Sequence, residues 1–328
     1  MTHQIKAIKV NEIGGPDKMI WTDLTLPAPS SGQVTIKHTF VGVNYIDTYH
    51  RSGLYPLPLP TGIGMEASGI IIDVGENISN FKLGDRVSYV MALGSYSTHR
   101  NIEEEKIVKL PENIRDDQAA AIMLKGMTVE YLVERLFKVN KNHTVLFHAI
   151  AGGVGLIACQ WLKTIGARVI GTVGSTEKAI LAKKFGCDEV IMYKTENFVE
   201  KVKELTDGEG VEVVYDGVGK DTAIRGLDCL KPLGTMVVFG NSSGNCPPID
   251  PGLLAAKGSL FFTRPTLMTY GTNKKDLSHS SSRVFDMLSK NKVSLTINSS
   301  YSLSDVIDSH RDLEARKTTG SIVLKNNY

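Results

Sequence analysis

The chain has 328 residues, enough for about two domains, and 42% of them are hydrophobic, which excludes an intrinsically disordered chain. Its 37 basic and 35 acidic residues leave a formal charge of +2, so charge supplies neither a nucleic-acid coat nor a grip on an acidic membrane. Cys159, Cys187, Cys229 and Cys246 form no CxxC pair, which excludes zinc-ribbon and thioredoxin readings and leaves buried thiols.

Along the first 120 or so residues the β signal dominates. KAIKV, QVTIKHTFVGV and SGIIIDVG are apolar or alternating runs bounded by Gly, Pro, Ser and Asn, the pattern of short strands and turns. From Asp116 the character changes to a helix, DDQAAAIMLKGMTVEYLVERLF, with Asp116 as its cap. Strands and helices then alternate: TVLFHAI, VGLIACQWLKTIG, ARVIGTVG, STEKAILAKKFG, EVIMY, NFVEKVKELT, VEVVYDGV, DTAIRGLDCL, GTMVVFG and KGSLFFTRP. Short helices between strands predict a parallel, doubly wound sheet. After about Pro265 two helices and a last strand, SIVLKN, break that rhythm. The uncharged run 142–162 is long enough for a membrane span, but Gly152, Gly153 and Gly155 interrupt it, and a buried strand, turn and helix explain it better. The N-terminal MTHQIKAIKV lacks the apolar core of a signal peptide. A cytoplasmic α/β protein with no membrane partner is expected.

TVLFHAI runs directly into Ala151-Gly152-Gly153-Val154-Gly155 and then into a helix. Glycines there permit a tight turn and a close backbone approach, and the helix start favours an anion such as a pyrophosphate. Ile150 stands where the usual GxGxxG frame has its first Gly. An NAD site wants an acid about 20 residues further on, to bond the ribose 2′-hydroxyl. GTVGS has none there; Gly174 and Ser175 are followed instead by Lys178. A hydroxyl and a cation suit a 2′-phosphate, so the cofactor expected is NADPH.

Gly64-Met65-Glu66-Ala67-Ser68-Gly69 and the later GDRV look like the GroES-like domain of medium-chain dehydrogenases/reductases. With Asn44-x-x-Asp47-x-Tyr49, RSGLYP, AGGVGLIACQW, GTVGS and FGNSSG, the whole chain resembles zinc-independent NADPH:quinone oxidoreductases, the zeta-crystallin group. The resemblance implies a GroES-like β-rich domain over 1–124, a Rossmann NADPH-binding domain over 125–264, and a segment, 265–328, that returns to the first domain. It implies quinone reduction by NADPH without zinc, because Asn44 and Met65 stand where zinc-using relatives place a Cys and a His. An amide and a thioether are poor zinc ligands, so no metal is expected.

The resemblance also implies roles. Asn44 and Tyr49 would donate hydrogen bonds to the quinone, with Asp47 orienting its neighbours. Lys125 and Thr128, in LKGMTV, would face the cofactor with the glycine turn. Tyr193 would contact the adenosine phosphates, and Phe239, Gly240, Asn241 and Ser242 the nicotinamide ribose. Arg316 would reach the 2′-phosphate, and Arg264 would assist. A homodimer through the edge strand KGSLFFTRP is implied as well. Two other readings stay open: an enone or alkenal reductase with the same fold and cofactor, and an NADPH-binding structural or RNA-binding protein. The last lacks a basic stripe or an aromatic RNP motif.

Overall fold

The computed structural model describes residues 2–271 and 273–328. The chain divides into two compact units, one of Met1–Met127, Gly271–Ser289 and Leu295–Tyr328, the other of Thr128–Tyr270 and Lys290–Ser294.

The first unit opens with an antiparallel hairpin of β1 (His3–Val10) and β2 (Met19–Leu26). Then come β3 (Gln33–Val43), α1 (Tyr45–Ser52), β4 (Glu66–Val74), β5 (Arg86–Val90), β6 (His99–Glu103), β7 (Ile107–Lys109) and α2 (Asp116–Glu130). Helix α1 departs from the all-strand expectation for this region. Asn44 occupies its N-cap, Asp47 its third position, and Gly53 closes it at φ 80°. The caps were in the sequence, but eight residues are too few for a helical period to declare itself.

In the second unit α2 passes into a π-helical turn, Tyr131–Leu136. After it come β8 (Thr144–Phe147), α3 (Gly153–Ile165), β9 (Arg168–Val173), α4 (Thr176–Lys184), β10 (Glu189–Met192), α5 (Phe198–Leu205), β11 (Val211–Asp216), α6 (Ala223–Gly226), β12 (Leu230–Val238), α7 (Pro251–Ala256), β13 (Phe261–Thr263) and α8 (Leu267–Tyr270). The six strands lie in the order β10-β9-β8-β11-β12-β13, all parallel. This is the doubly wound sheet that the alternation predicted. Leu146, Ile170, Val214 and Met236, from its four central strands, are fully buried in one core with Phe198 and Val202 of α5.

The tail supplies α9 (Lys274–Ser289), β14 (Ser299–Ser302), α10 (Val306–Glu314) and β15 (Ile322–Lys325). In the first unit β15 pairs antiparallel with β3, completing the order β14-β15-β3-β4-β5-β7. Strand β6 shares that edge of β3, taking Gln33–Lys37 while β15 takes Phe40–Val43. Among the described residues no helix is long and apolar enough to cross a membrane.

Candidate active site

In the parallel sheet the carboxyl ends of all six strands face one edge, where open α/β sheets bind ligands. The residues expected at the cofactor follow those ends: Ala151–Gly155 after β8, Gly174 and Ser175 after β9, Tyr193 after β10, Phe239–Ser242 after β12 and Arg264 after β13. Thr128, in the same unit, is buried.

The turn before α3 is shaped by two residues. Ala149 takes a left-handed φ of 55°, and its carbonyl accepts the Gly152 N–H at 2.9 Å. A Cβ on Gly155 would stand 2.4 Å from the Ile150 carbonyl oxygen and 2.6 Å from that of Ala149. Gly155 is therefore required for close packing of helix on turn. Gly152 caps α3 without a side chain, leaving the first helical N–H groups for an anion. The sequence did not single out Ala149, because the strained residue is not a glycine.

Ser175 caps α4 by accepting the Lys178 backbone N–H at 3.4 Å. A Cβ on Gly174 would come within 2.6 Å of the Tyr193 hydroxyl oxygen, so the two ends of β9 and β10 meet there. Phe239 lies against Phe147, ring centroids 5.6 Å apart. Gly240 passes the Gly217 carbonyl, and the Ser242 N–H donates to that oxygen at 3.2 Å. Arg264 donates to the Pro265 carbonyl at 2.8 Å. A helix start without a capping side chain and a strand end without a carboxylate are compatible with a pyrophosphate and a 2′-phosphate.

The other residues singled out lie in the first unit. Asn44, Asp47 and Tyr49 share the start of α1, and all three are buried. Tyr49 sits among tyrosines, its ring 5.1 Å from Tyr55 and 6.3 Å from Tyr45. The Asn44 backbone N–H donates to Asp47 Oδ2 at 2.8 Å. Its side-chain Nδ2 donates to Glu66 Oε1, also at 2.8 Å. Lys125 Nζ donates to the same oxygen at 3.2 Å and to the Val43 carbonyl at 3.4 Å. Glu66 Oε2 accepts the Leu124 N–H at 2.7 Å. Gly42 makes room for this cluster, since a Cβ there would lie 2.4 Å from Glu66 Oε1. Arg316 is exposed and takes a left-handed φ of 58°.

Burial pushes the Asp47 carboxyl up to about 7, assisted by the charge of Glu66 and opposed by hydrogen bonds from Tyr96 and Asn44 and by Lys125. In the sequence Glu66 belongs to the GMEASG motif. A lone acid in the apolar run IGMEASGIII is itself a signal of a buried, paired charge.

Residues 30–133 match the alcohol dehydrogenase GroES-like domain and residues 153–290 the zinc-binding dehydrogenase family. The chain is 45% identical to the quinone oxidoreductase of Pseudomonas aeruginosa, over 97% of this chain and 99% of that protein. It is 40% identical to a 2-haloacrylate reductase of a Burkholderia species, over 98% of each. A solved structure of Escherichia coli quinone oxidoreductase complexed with NADPH superposes with a TM-score of 0.95 at 44% identity, covering 98% of this chain and 99% of that one.

Zinc, which the second family description implies, does not fit the donors here. Asn44 turns its amide N–H to Glu66, Met65 offers a neutral thioether, and Lys125 already brings a cation onto the carboxylate. Among the described residues no three His, Cys, Asp or Glu gather to hold a metal. With sequence, domain pair and three-dimensional match in agreement, the chain belongs to the quinone oxidoreductase family of the medium-chain dehydrogenases/reductases.

Proposed function

We propose that the protein is an NADPH:quinone oxidoreductase that works without zinc. The observation that carries this reading is the Asn44 amide, held by the buried Glu66–Lys125 pair at 2.8 Å. One Nδ2 hydrogen is committed to Glu66, which leaves the second free to be offered to a carbonyl oxygen. Residues 1–124 and 265–328 carry the quinone side, Arg316 excepted, and residues 125–264 the coenzyme.

NADPH supplies the hydride when bound. The α3 N-terminus takes the pyrophosphate, and Ser175 with Lys178 takes the 2′-phosphate, supported by Arg316 and Arg264. Tyr193 borders the adenosine phosphates, and Phe239–Ser242 the nicotinamide ribose, with Thr128 beside them. Asn44 and Tyr49 orient the quinone and hydrogen-bond its oxygen as charge builds there. Quinone, NADPH and one proton give hydroquinone and NADP⁺.

The kinship with 2-haloacrylate reductase favours reduction of an activated alkene as the second reading, on the same fold and cofactor. The test is NADPH oxidation by EDTA-dialysed protein with an ortho-quinone, with NADH and an enone in parallel. Rapid, quinone-dependent loss of NADPH is expected. Turnover of the enone alone would replace the first reading with the second, and NADPH binding with no turnover of either would remove both.

The homodimer belongs to this proposal. Strand β13 ends the parallel sheet with Phe261 61% exposed, an apolar edge suited to pairing with a copy of itself. Sedimentation of the wild type as a dimer and of Phe261→Asp as a monomer is expected; a monomeric wild type would remove it.

A further inference from the structure

Behind Asn44 runs a buried chain of hydrogen bonds that no motif announces. Arg51 Nη1 meets His310 Nδ1 at 3.0 Å. His310 Nε2 meets the Tyr96 hydroxyl at 2.9 Å. Tyr96 reaches Asp47 Oδ2 at 2.8 Å, the oxygen that also accepts the Asn44 backbone N–H. Arg51, Tyr96, Asp47 and His310 are each at most 2% exposed. Beyond them, Arg51 is anchored by Glu314 at 2.6 Å and by the Gly14 carbonyl at 3.0 Å.

The direction of every bond in this chain is forced. A guanidinium only donates, so His310 Nδ1 must accept and carries no proton. Burial, with the Arg51 charge, holds the His310 ring neutral down to about 3, which leaves its hydrogen on Nε2. That hydrogen goes to the Tyr96 oxygen, and the single phenolic hydrogen is left for Asp47. Tyr96 itself is held well above the usual phenol range by burial and the Asp47 charge. Each hydrogen therefore points away from Arg51 and toward Asp47.

We propose that Tyr96, His310 and Arg51 are positioning residues for quinone reduction: they hold Asp47 as the acceptor that fixes the start of α1 and, with it, the Asn44 amide. The proposal rests on the role given to Asn44 above. Asp47 is finely balanced, because Oδ2 carries both of its bonds while its buried Oδ1 has no partner among the described residues. Burial and Glu66 on β4 favour its protonated form; Tyr96, the Asn44 N–H and Lys125 on α2 favour the carboxylate. Loss of the Tyr96 donor tips that balance, and protonation weakens the charge-assisted bond to Asn44.

The experiment is a pair of measurements on Tyr96→Phe. The acid limb of kcat/KM for the quinone is expected to move to higher pH by about one unit, while the NADPH dissociation constant, read by fluorescence, stays put. The Asp47 titration, followed by carboxyl ¹³C NMR in the full chain, is expected to move the same way. An unmoved Asp47 midpoint overturns the proposal whatever the turnover. A moved midpoint with an unmoved acid limb also overturns it, because Asp47 would then not govern Asn44. If the wild type turns over no quinone, the functional reading fails separately, and the limb is read on the enone. Should Tyr96→Phe not fold, His310→Leu removes the donor to Tyr96 and is held to the same two midpoints, with a smaller shift in the same direction.

Discussion

The Lys125 ammonium lies 3.2 Å from Glu66 Oε1, with the two side chains 7% and 0% exposed. Two charges taken that far from water depend on each other. Lys125→Met leaves a buried carboxylate held, among the described residues, by the Asn44 amide and the Leu124 N–H, and is expected to cost about 3–5 kcal/mol of stability. The double variant Glu66→Gln/Lys125→Met is expected to regain most of that loss in urea unfolding. It is not expected to regain quinone turnover, because the charge that orients Asn44 has gone.

The proposed grip of Lys178 on the 2′-phosphate has a direct test. Its removal as Lys178→Ala is expected to raise the KM for NADPH about tenfold, roughly 1.4 kcal/mol, and to leave that for NADH nearly unchanged. Initial-rate measurements with both coenzymes decide this; an equal loss for both would assign Lys178 to the fold instead.

The two turn glycines differ in what they tolerate. An added Cβ at Gly155 meets two backbone carbonyl oxygens, at 2.4 and 2.6 Å, whereas at Gly152 the nearest atom is 3.2 Å away. Gly155→Ala is expected to lower the melting temperature by several degrees and to weaken NADPH binding. Gly152→Ala is expected to do much less to stability, as differential scanning calorimetry would show.

The turn and its sheet were legible in the sequence because their signals are local. Glycines at fixed offsets, a cap at Ser175 and strand–helix alternation each lie within a few dozen residues. What lay beyond reading is the polar interior of the first unit. Asn44 meets Glu66 across 22 positions, Lys125 meets Glu66 across 59, and Tyr96 meets His310 across 214. No spacing rule links such residues, since the β-sheet brings them together only after its strands have paired. Lys125 and Glu66 did leave a trace, as lone charges inside apolar runs. Tyr96 and His310 left none, because a tyrosine and a histidine are unremarkable in either setting.

Acid sensitivity follows from the buried histidines. Burial lowers His38 and His310 from 6.5 to about 3. Between those values the unfolded chain takes up protons that the folded chain refuses, so stability falls as pH drops below 6.5. Each histidine contributes a slope of about 1.4 kcal/mol per pH unit in that window. Asp47, raised from 3.8 to about 7, works oppositely, because its folded form binds the extra proton. Over the shared range it offsets one histidine's slope, while His99, lowered to about 4, and His50 and His148, also lowered by burial, add to what His38 and His310 leave. His38→Gln is expected to reduce the slope in melts between pH 4 and 6.5 by about 1.4 kcal/mol per pH unit, and an unaltered slope would place the acid sensitivity elsewhere.

Strand β15, four residues from Ile322 to Lys325, is hydrogen-bonded to β3, which begins at Gln33. The Asn326 amide donates to the His38 carbonyl across 288 positions. During synthesis, β3 therefore leaves the ribosome long before its partner exists. Its Phe40–Val43 edge stays unpaired while the entire parallel-sheet unit is made, at ~5–20 residues per second. The GroES-like unit is thus completed only after β15 has been made, and a chain truncated before Ile322 would carry an open β-edge prone to aggregation.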